Sequence, residues 1–409
     1  MADAVHDAER LLELQSLPLD RKIQISQARI IEWYQHWNGN VVVSFSGGKD
    51  STVLLHLVRS IYPNVKAVFS NTGLEFPEIQ RHVLTFDNVD IIRPEMRFDE
   101  VVSTYGYPLI GKEVAEAIYY ARRIRTPDTK PARKNVKKAQ IDRKRDELSG
   151  ERLIQTSHAR NRRTILQGKW KSTEEEGGGT QKKSQFNKEK WLPLARDVPV
   201  LISHWCCYHM KKSPIHKYQT ANGYYPITGT LAEESRVRKQ AWIRHGCNAF
   251  DVTSPTSQPL SFWTEQDVLA YIALNKLPLA SVYGEIVSMR DGDEYPAVDM
   301  FGKVGCDLKC TGCPRTGCVF CGFGFHTEKK GETRFQRLAR THPKQYEYSI
   351  GGGQWVDNPA YDPVAPEYDG EWKNWNPKKI WVPSKKGLGM GKAFDMVNEI
   401  YGKDLFRYE

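Results

Sequence analysis

The chain has 409 residues, 40% of them hydrophobic, and 59 Lys and Arg against 49 Asp and Glu give a net charge of +10. That is enough apolar material for a sizeable buried core, in two modules rather than one, and it excludes a wholly disordered chain. No run approaches the roughly 18 apolar residues of a membrane span, and the acidic, helix-patterned start MADAVHDAERLLELQ carries no secretory signal. The expectation is a cytoplasmic protein with no membrane partner.

In chain order, Ile23, Ile30, Ile31 and Trp33 are spaced for a helix that ends near Gly39, and Val41 to Phe45 (VVVSF) follows as a buried strand. A glycine loop then leads into a helix with Val53, Leu54, Leu57 and Val58 on one face. A second strand is predicted at Val65 to Asn71, a helix at Pro77 to Phe86 and a third strand at Val89 to Arg93. This alternation predicts an α/β fold, a parallel sheet flanked by helices with right-handed crossovers, and ligands at the carboxyl ends of the strands.

The charge is uneven, because Arg122 to Lys190 holds 21 Lys and Arg against 9 Asp and Glu, a local +12 that leaves the remainder near −2. With few apolar anchors and the tract TEEEGGGTQKKS, part of this stretch reads as a mobile insertion, and RKNVKKAQIDRKRDEL reads as a charged helical arm. Patterning resumes at Val198 to Trp205 and at Tyr224 to Gly229. It then gives a helix after Thr264, with Thr264 as N-cap and Asp267 placed to complete a capping box. Beyond His326 the chain is rich in Trp, Tyr, Pro and Gly, and GKAFDMVNEIYG near the end is helical in pattern.

The most informative run is SFSGGKDST, Ser44 to Thr52, where a strand delivers two glycines and hydroxyl residues to a helix N-terminus. Gly47 and Gly48 let backbone N–H groups approach an anion, Ser44, Ser46 and Ser51 supply hydroxyls, and Lys49 adds charge. It is not a Walker loop, because Asp50 rather than Ser or Thr follows the lysine. Asp50 is placed to help hold Mg²⁺ with the phosphates, or to face the helix dipole.

SGGKDS in this position resembles the PP-loop of the ATP pyrophosphatase (adenine nucleotide alpha hydrolase-like) superfamily, whose members cleave ATP between the α and β phosphates. Four further runs are similar to the phosphoadenosine phosphosulfate (PAPS) reductase family: FSNTGLEFPE, HWCCYHMKKSPIHKY, ITGTLAEESRVRK and PLSFWTEQDVLAYI. The resemblance implies a nucleotide site that adds Asn71, Thr72, Gly73, Gly229, Glu234, Ser235 and Arg238 to the loop, with Lys49 and Asp50 as catalytic residues. Arg236 and Lys239 are further candidates for a second phosphate or sulfo group. Asn71 stands where the family usually has Asp, and Leu231 replaces its first Arg. No cysteine follows Cys321, whereas thiol-dependent reductases carry a nucleophilic Cys near the C-terminus. RTGCVFCGFG and FQRLARTHPKQYEY resemble the phage and bacterial reductase-like branch.

Eight cysteines include the pair Cys206 and Cys207 and the run Cys306, Cys310, Cys313, Cys318 and Cys321, a pattern suited to soft-metal chemistry. By resemblance to adenylyl-sulfate reductases, Cys206, Cys207, Cys318 and Cys321 would hold a [4Fe–4S] cluster. A local set of Cys310, Cys313, Cys318 and Cys321, and zinc in place of iron, are the alternatives. His204, His209 and His326 lie nearby in sequence and read as packing residues, as Cys247 and Cys306 read as core.

The division this implies is residues 1–118 and 196–300 as the two halves of a nucleotide-binding domain, 119–195 as a basic insertion, 301–326 as a Cys-rich segment and 327–409 as an aromatic extension. The expected function is binding ATP with Mg²⁺, or a related adenylyl nucleotide, with cleavage at the α phosphate and sulfur transfer beside a cluster. The alternatives are a true phosphoadenylyl-sulfate reductase using an external thiol donor, and a non-catalytic nucleotide-sensing or nucleic-acid-binding regulatory module. Expected partners are the adenine nucleotide, a thiol or sulfur donor protein and a second copy of the chain as a homo-oligomer. Residues 122–190 add nucleic acid, with Trp170 and Trp191 as stacking platforms. Trp355, Trp372, Trp375 and Trp381 read as packing.

Overall fold

The computed structural model describes residues 6–122, 126–127, 141–145, 152–169, 187–290, 292–305, 307–402 and 405–409. Two compact units are present, one built from residues 1–95 and 209–319, the other from 96–208 and 320–409. They are drawn along other lines than the five-segment division of the sequence: the Cys-rich run is cut between Val319 and Phe320, and the basic stretch falls in the second unit.

In the first unit, α1 (Ala8–Ser16) and α2 (Leu19–His36) precede β1 (Val41–Ser44), α3 (Lys49–Ile61), β2 (Lys66–Ser70), α4 (Pro77–Val83) and β3 (Val89–Ile92). After the break come α5 (Ser213–Asn222), β4 (Tyr225–Thr228), α6 (Arg236–His245), β5 (Asn248–Ala249), β6 (Thr256–Ser257) and α7 (Glu265–Asn275). The sheet order is β3-β2-β1-β4-β6-β5. All neighbours pair in parallel except β5 and β6, with Val43 opposite Ala67 on one side and Ile227 on the other. The expected parallel sheet is therefore mixed, with one short antiparallel edge strand.

Three consecutive valines of β1 are buried because a central parallel strand is covered on both faces. Val53, Leu54, Leu57 and Val58 of α3 pack into the same core with Ile30, Trp33, Phe69, Ile227, Trp263 and Ile272. The expected capping box forms, since Thr264 accepts from Asp267 N while Asp267 accepts from Thr264 N and Oγ1. Asp267 also receives buried Lys22 at 2.6 Å, which ties α2 to the start of α7. A three-stranded antiparallel sheet follows: β7 (Ile286–Arg290) lies between β8 (Asp293–Pro296) and β9 (Leu308–Cys310).

The second unit holds the helices Phe98–Tyr105, Lys112–Arg122, Ser157–Leu166, Arg334–Thr341, Pro343–Ile350 and Met390–Tyr401, and Phe325, Phe335, Phe394 and Phe406 pack together as an aromatic cluster. Arg122 is half-buried and donates to the carbonyls of Leu194, Ala195, Val198 and Val200, with Trp375 4.2 Å from its guanidinium. Burial pushes its pKa down to about 9.

Two expectations for the basic stretch are corrected. Ile141–Arg145 is a strand paired antiparallel with Arg152–Thr156, not part of a helical arm, because the β-ladder satisfies its backbone groups. Trp191 is buried against His326 and Tyr401 and offers no face to a base, while Trp170 lies outside the described residues. Among the tail tryptophans, Trp372 is buried and Trp381 donates to Gly389 O, whereas Trp355 is exposed. Among the described residues no helix is long and apolar enough to cross a membrane.

Candidate functional site

Ser44 ends β1, and Phe45 N donates to Val68 O at 2.9 Å, so the sheet holds the chain up to the point where the loop begins. Gly47 has φ +70°, and a Cβ there would lie 2.7 Å from Val83 Cγ2, so both backbone conformation and space demand glycine. Gly48 is the N-cap of α3. Ser51 Oγ donates to Gly48 O at 2.9 Å and accepts from Ser46 N at 3.2 Å, folding the loop back on the first helical turn. Gly48 N donates to Ser46 Oγ at 3.4 Å and Lys49 N donates to Tyr283 OH at 3.2 Å.

Lys49 is 3% exposed. Its Nζ pairs with Glu265 of α7 and donates to Pro314 O at 2.8 Å. Asp50 follows with one carboxylate oxygen buried and without a hydrogen-bond partner among the described residues. Burial raises its pKa and the nearby Glu265 adds to this, while Lys49 and Arg315 oppose it. A carboxyl poised this way is a ready acceptor for a proton or a cation.

The other predicted nucleotide residues fall in the same unit, at the carboxyl ends of β2 and β4. Asn71 Oδ1 accepts from Gly73 N at 3.2 Å, and Thr72 Oγ1 donates to Glu75 at 2.7 Å, so this turn is shaped by its own side chains. Gly73, at φ +72°, has open space where a side chain would be. Gly229 has a packing reason to be glycine, because a Cβ would sit 3.0 Å from Asp50 O. Ser235 caps α6 by accepting from Arg238 N, and Glu234 pairs with Arg238. Arg236 is exposed.

Sequence reasoning did not single out Glu265, Tyr283, Pro314, Arg315 or Thr316. The segment from Cys313 to Val319 lies against the loop: Thr316 Oγ1 is 2.5 Å from Tyr283 OH, Arg315 pairs with Glu234 at 3.2 Å and Val319 N donates to Leu74 O. No spacing rule links these residues to SGGKDS.

The thiols divide between the units. Cys206, Cys207 and Cys321 belong to the second and Cys318 to the first. Cys206 and Cys207 have sulfurs 4.0 Å apart, and burial, with a contribution from Cys207, raises the Cys321 pKa. In the first unit burial raises the Cys310 thiol, and Cys313 Sγ donates to Arg315 O at 2.8 Å. Cys247 is a buried core residue with a raised pKa, and Cys306 lies outside the described residues. The donors suit iron–sulfur or zinc chemistry. Among the described residues, however, no three His, Cys, Asp or Glu side chains are arranged to hold a metal ion. The arrangement is a pair with a neighbour rather than a closed ligand set.

A mostly parallel sheet whose first strand feeds a glycine loop and a helix, with cations gathered at the strands' carboxyl ends, defines a nucleotide-handling α/β domain of the PP-loop type. The family model for the phosphoadenosine phosphosulfate reductase domain matches residues 40–167 and 172–322, more than half of the sequence, and the chain belongs to that family of enzymes. It is 32% identical over 87 residues to an adenosine 5′-phosphosulfate reductase of Bacillus cereus (strain B4264), covering 20% of this chain and 37% of the relative. The match to the Bacillus mycoides (strain KBAB4) reductase is 31% over 87 residues, with the same coverage. The chain thus spans well under half the length of these curated relatives. Against the crystal structure of a phosphoadenylyl-sulfate reductase from Candida auris, in phosphate complex, the TM-score is 0.31 at 12% identity, covering 67% of this chain and 90% of that one.

Proposed function

We propose that this chain is a sulfonucleotide reductase: it binds an adenylyl sulfonucleotide with its anionic tail on Ser46 to Ser51, and an external dithiol reduces the sulfur. The carrying observation is the glycine loop at the carboxyl end of β1, which runs into the N-terminus of α3 with buried Lys49 in its first turn. Helix-terminal N–H groups and a desolvated ammonium favour a polyanion there, and both strengthen as negative charge builds on the leaving nucleotide. In this reading the thiol donor is a separate dithiol protein.

In the reaction, a donor thiolate attacks the sulfur of the sulfo group. An S–S bond forms, the S–O bond to the α phosphate breaks and the nucleotide leaves with the electron pair. The donor's second thiolate then displaces sulfite and leaves a disulfide, so two electrons pass from dithiol to sulfur. Lys49 stabilises the departing phosphate oxygen.

Incubation with adenosine 5′-phosphosulfate or its 3′-phosphorylated form and a reduced dithiol protein should yield sulfite and nucleotide one-to-one, and Lys49→Ala should abolish both. Pyrophosphate release from ATP and Mg²⁺, with no sulfite from either sulfonucleotide, would replace this reading with the ATP-cleaving one. The closeness of the Cys206 and Cys207 sulfurs supports a second reading, in which these thiols and Cys321 would be among the ligands of a [4Fe–4S] cluster. Anaerobically purified protein should then contain iron and sulfide that Cys207→Ala loses; absence of iron from the parent protein rejects it.

A further inference from the structure

Three cations of the first unit gather at the phosphate loop, and each is held by a carboxylate: Lys49 by Glu265, and both Arg238 and Arg315 by Glu234. Two guanidiniums share the one Glu234 carboxylate. Burial, followed by the charge of Arg315, lowers the pKa of Arg238, as expected where like charges crowd. The side chains differ in access. Lys49 is buried and Arg238 is 41% exposed, whereas Arg315 is 57% exposed.

The backbone beneath Arg315 is fixed although its head is not. Gly312 N and Cys313 N donate to Tyr283 O and Val282 O at 2.8 Å, and Val319 N donates to Leu74 O at 2.8 Å. Cys313 Sγ donates to the carbonyl of Arg315 itself, and Thr316 Oγ1 meets the same Tyr283 hydroxyl that accepts from Lys49 N. A long side chain on an anchored backbone, sharing its carboxylate with a second arginine, can exchange partners at little cost. Glu234 would keep Arg238 as a one-to-one pair.

We propose that Arg315 is a nucleotide-binding residue: it leaves Glu234 and takes the terminal anionic group, sulfo or second phosphate, of an adenylyl nucleotide whose α phosphate lies on the Ser46–Ser51 amides. The inference rests on the function proposed above and adds the group that distinguishes a nucleotide with such a tail from AMP. A guanidinium suits this task because its fork meets two oxygens of a tetrahedral oxyanion at once.

Isothermal titration of the full chain with adenosine 5′-phosphosulfate and with AMP tests it. The parent protein should bind the sulfonucleotide more tightly than AMP. Arg315→Ala should weaken the sulfonucleotide about ten-fold while leaving AMP within about two-fold, and Arg315→Lys should restore part of the preference. An unchanged preference in Arg315→Ala overturns the proposal, as does equal weakening of both ligands, which marks a structural role. Lys49→Ala separates the two readings. If it loses both nucleotides while Arg315→Ala keeps its preference, only the role of Arg315 fails. If Lys49→Ala binds both normally, the loop assignment fails and the Arg315→Ala ratio still decides for Arg315. Failure of the parent protein to bind either ligand rejects both.

Discussion

Arg122 in the second unit and the cations beside the loop in the first are held differently. Arg122 in the second unit donates to four backbone carbonyls, acceptors that cannot leave without moving the chain. Lys49, Arg238 and Arg315 in the first unit are held largely by side-chain carboxylates, which can rotate away. A cation on carbonyls is a structural bolt, whereas one on a carboxylate can be handed to another anion, since a phosphate or sulfo oxygen replaces a carboxylate oxygen in kind. Burial alone therefore does not mark a functional cation. A carboxylate partner is what the three loop cations share, although Lys22 on Asp267 and Arg163 on Asp369 show that such a partner also serves packing.

The sharpest way to break this comparison is Arg122→Met, which leaves buried carbonyls without a donor and should destabilise the protein by roughly 3 kcal/mol, read by urea unfolding. A loss within experimental error would mean that Arg122 is dispensable and the contrast false. Lys49→Ala should do the opposite: little change in stability, because Glu265 is 40% exposed and can be hydrated, but roughly 100-fold weaker nucleotide binding by titration calorimetry. Glu265→Gln frees Lys49 from its competitor and should tighten nucleotide binding about three-fold; weaker binding would show that Glu265 positions Lys49 rather than competing for it.

The smallest effect concerns pH. Burial raises the Asp50 pKa, so the folded chain binds this proton more readily than the unfolded one. The stability associated with Asp50 is then full at pH below the ordinary carboxylate range and is lost as pH rises through its raised folded value. Asp50→Asn should be near-neutral for stability at acid pH and increasingly stabilising toward pH 7, measured as the unfolding midpoint in urea at both. A pH-independent difference would show that the carboxylate is compensated by Lys49, Arg238 and Arg315.

Residues close together in the chain made much of the first unit legible from sequence. The valines of β1, the apolar face of α3 and the Thr264–Asp267 box are set by local spacing, and the strand–loop–helix run at Ser44 to Ser51 carries its own chemistry. Local pattern misled where pairing or packing decided. Ile141–Arg145 has the charge spacing of a helix but lies in a ladder with Arg152–Thr156, and Trp191 has the composition of a stacking residue but is in the core. Asn71, Thr72 and Ser235 are expected nucleotide residues by family resemblance, whereas the hydrogen bonds they make give each a structural duty in a turn or cap.

By itself the sequence determined the α/β class, the phosphate loop and the family likeness, because hydrophobic period, glycine placement and helix capping act over a few residues. Tertiary structure alone decided what faces that loop. Lys49 meets Glu265 across 216 positions and Pro314 across 265, and Arg315 reaches Glu234 across 81. Contacts at such separations follow from strand order and crossover geometry, and neither is written in the spacing of the residues that finally touch.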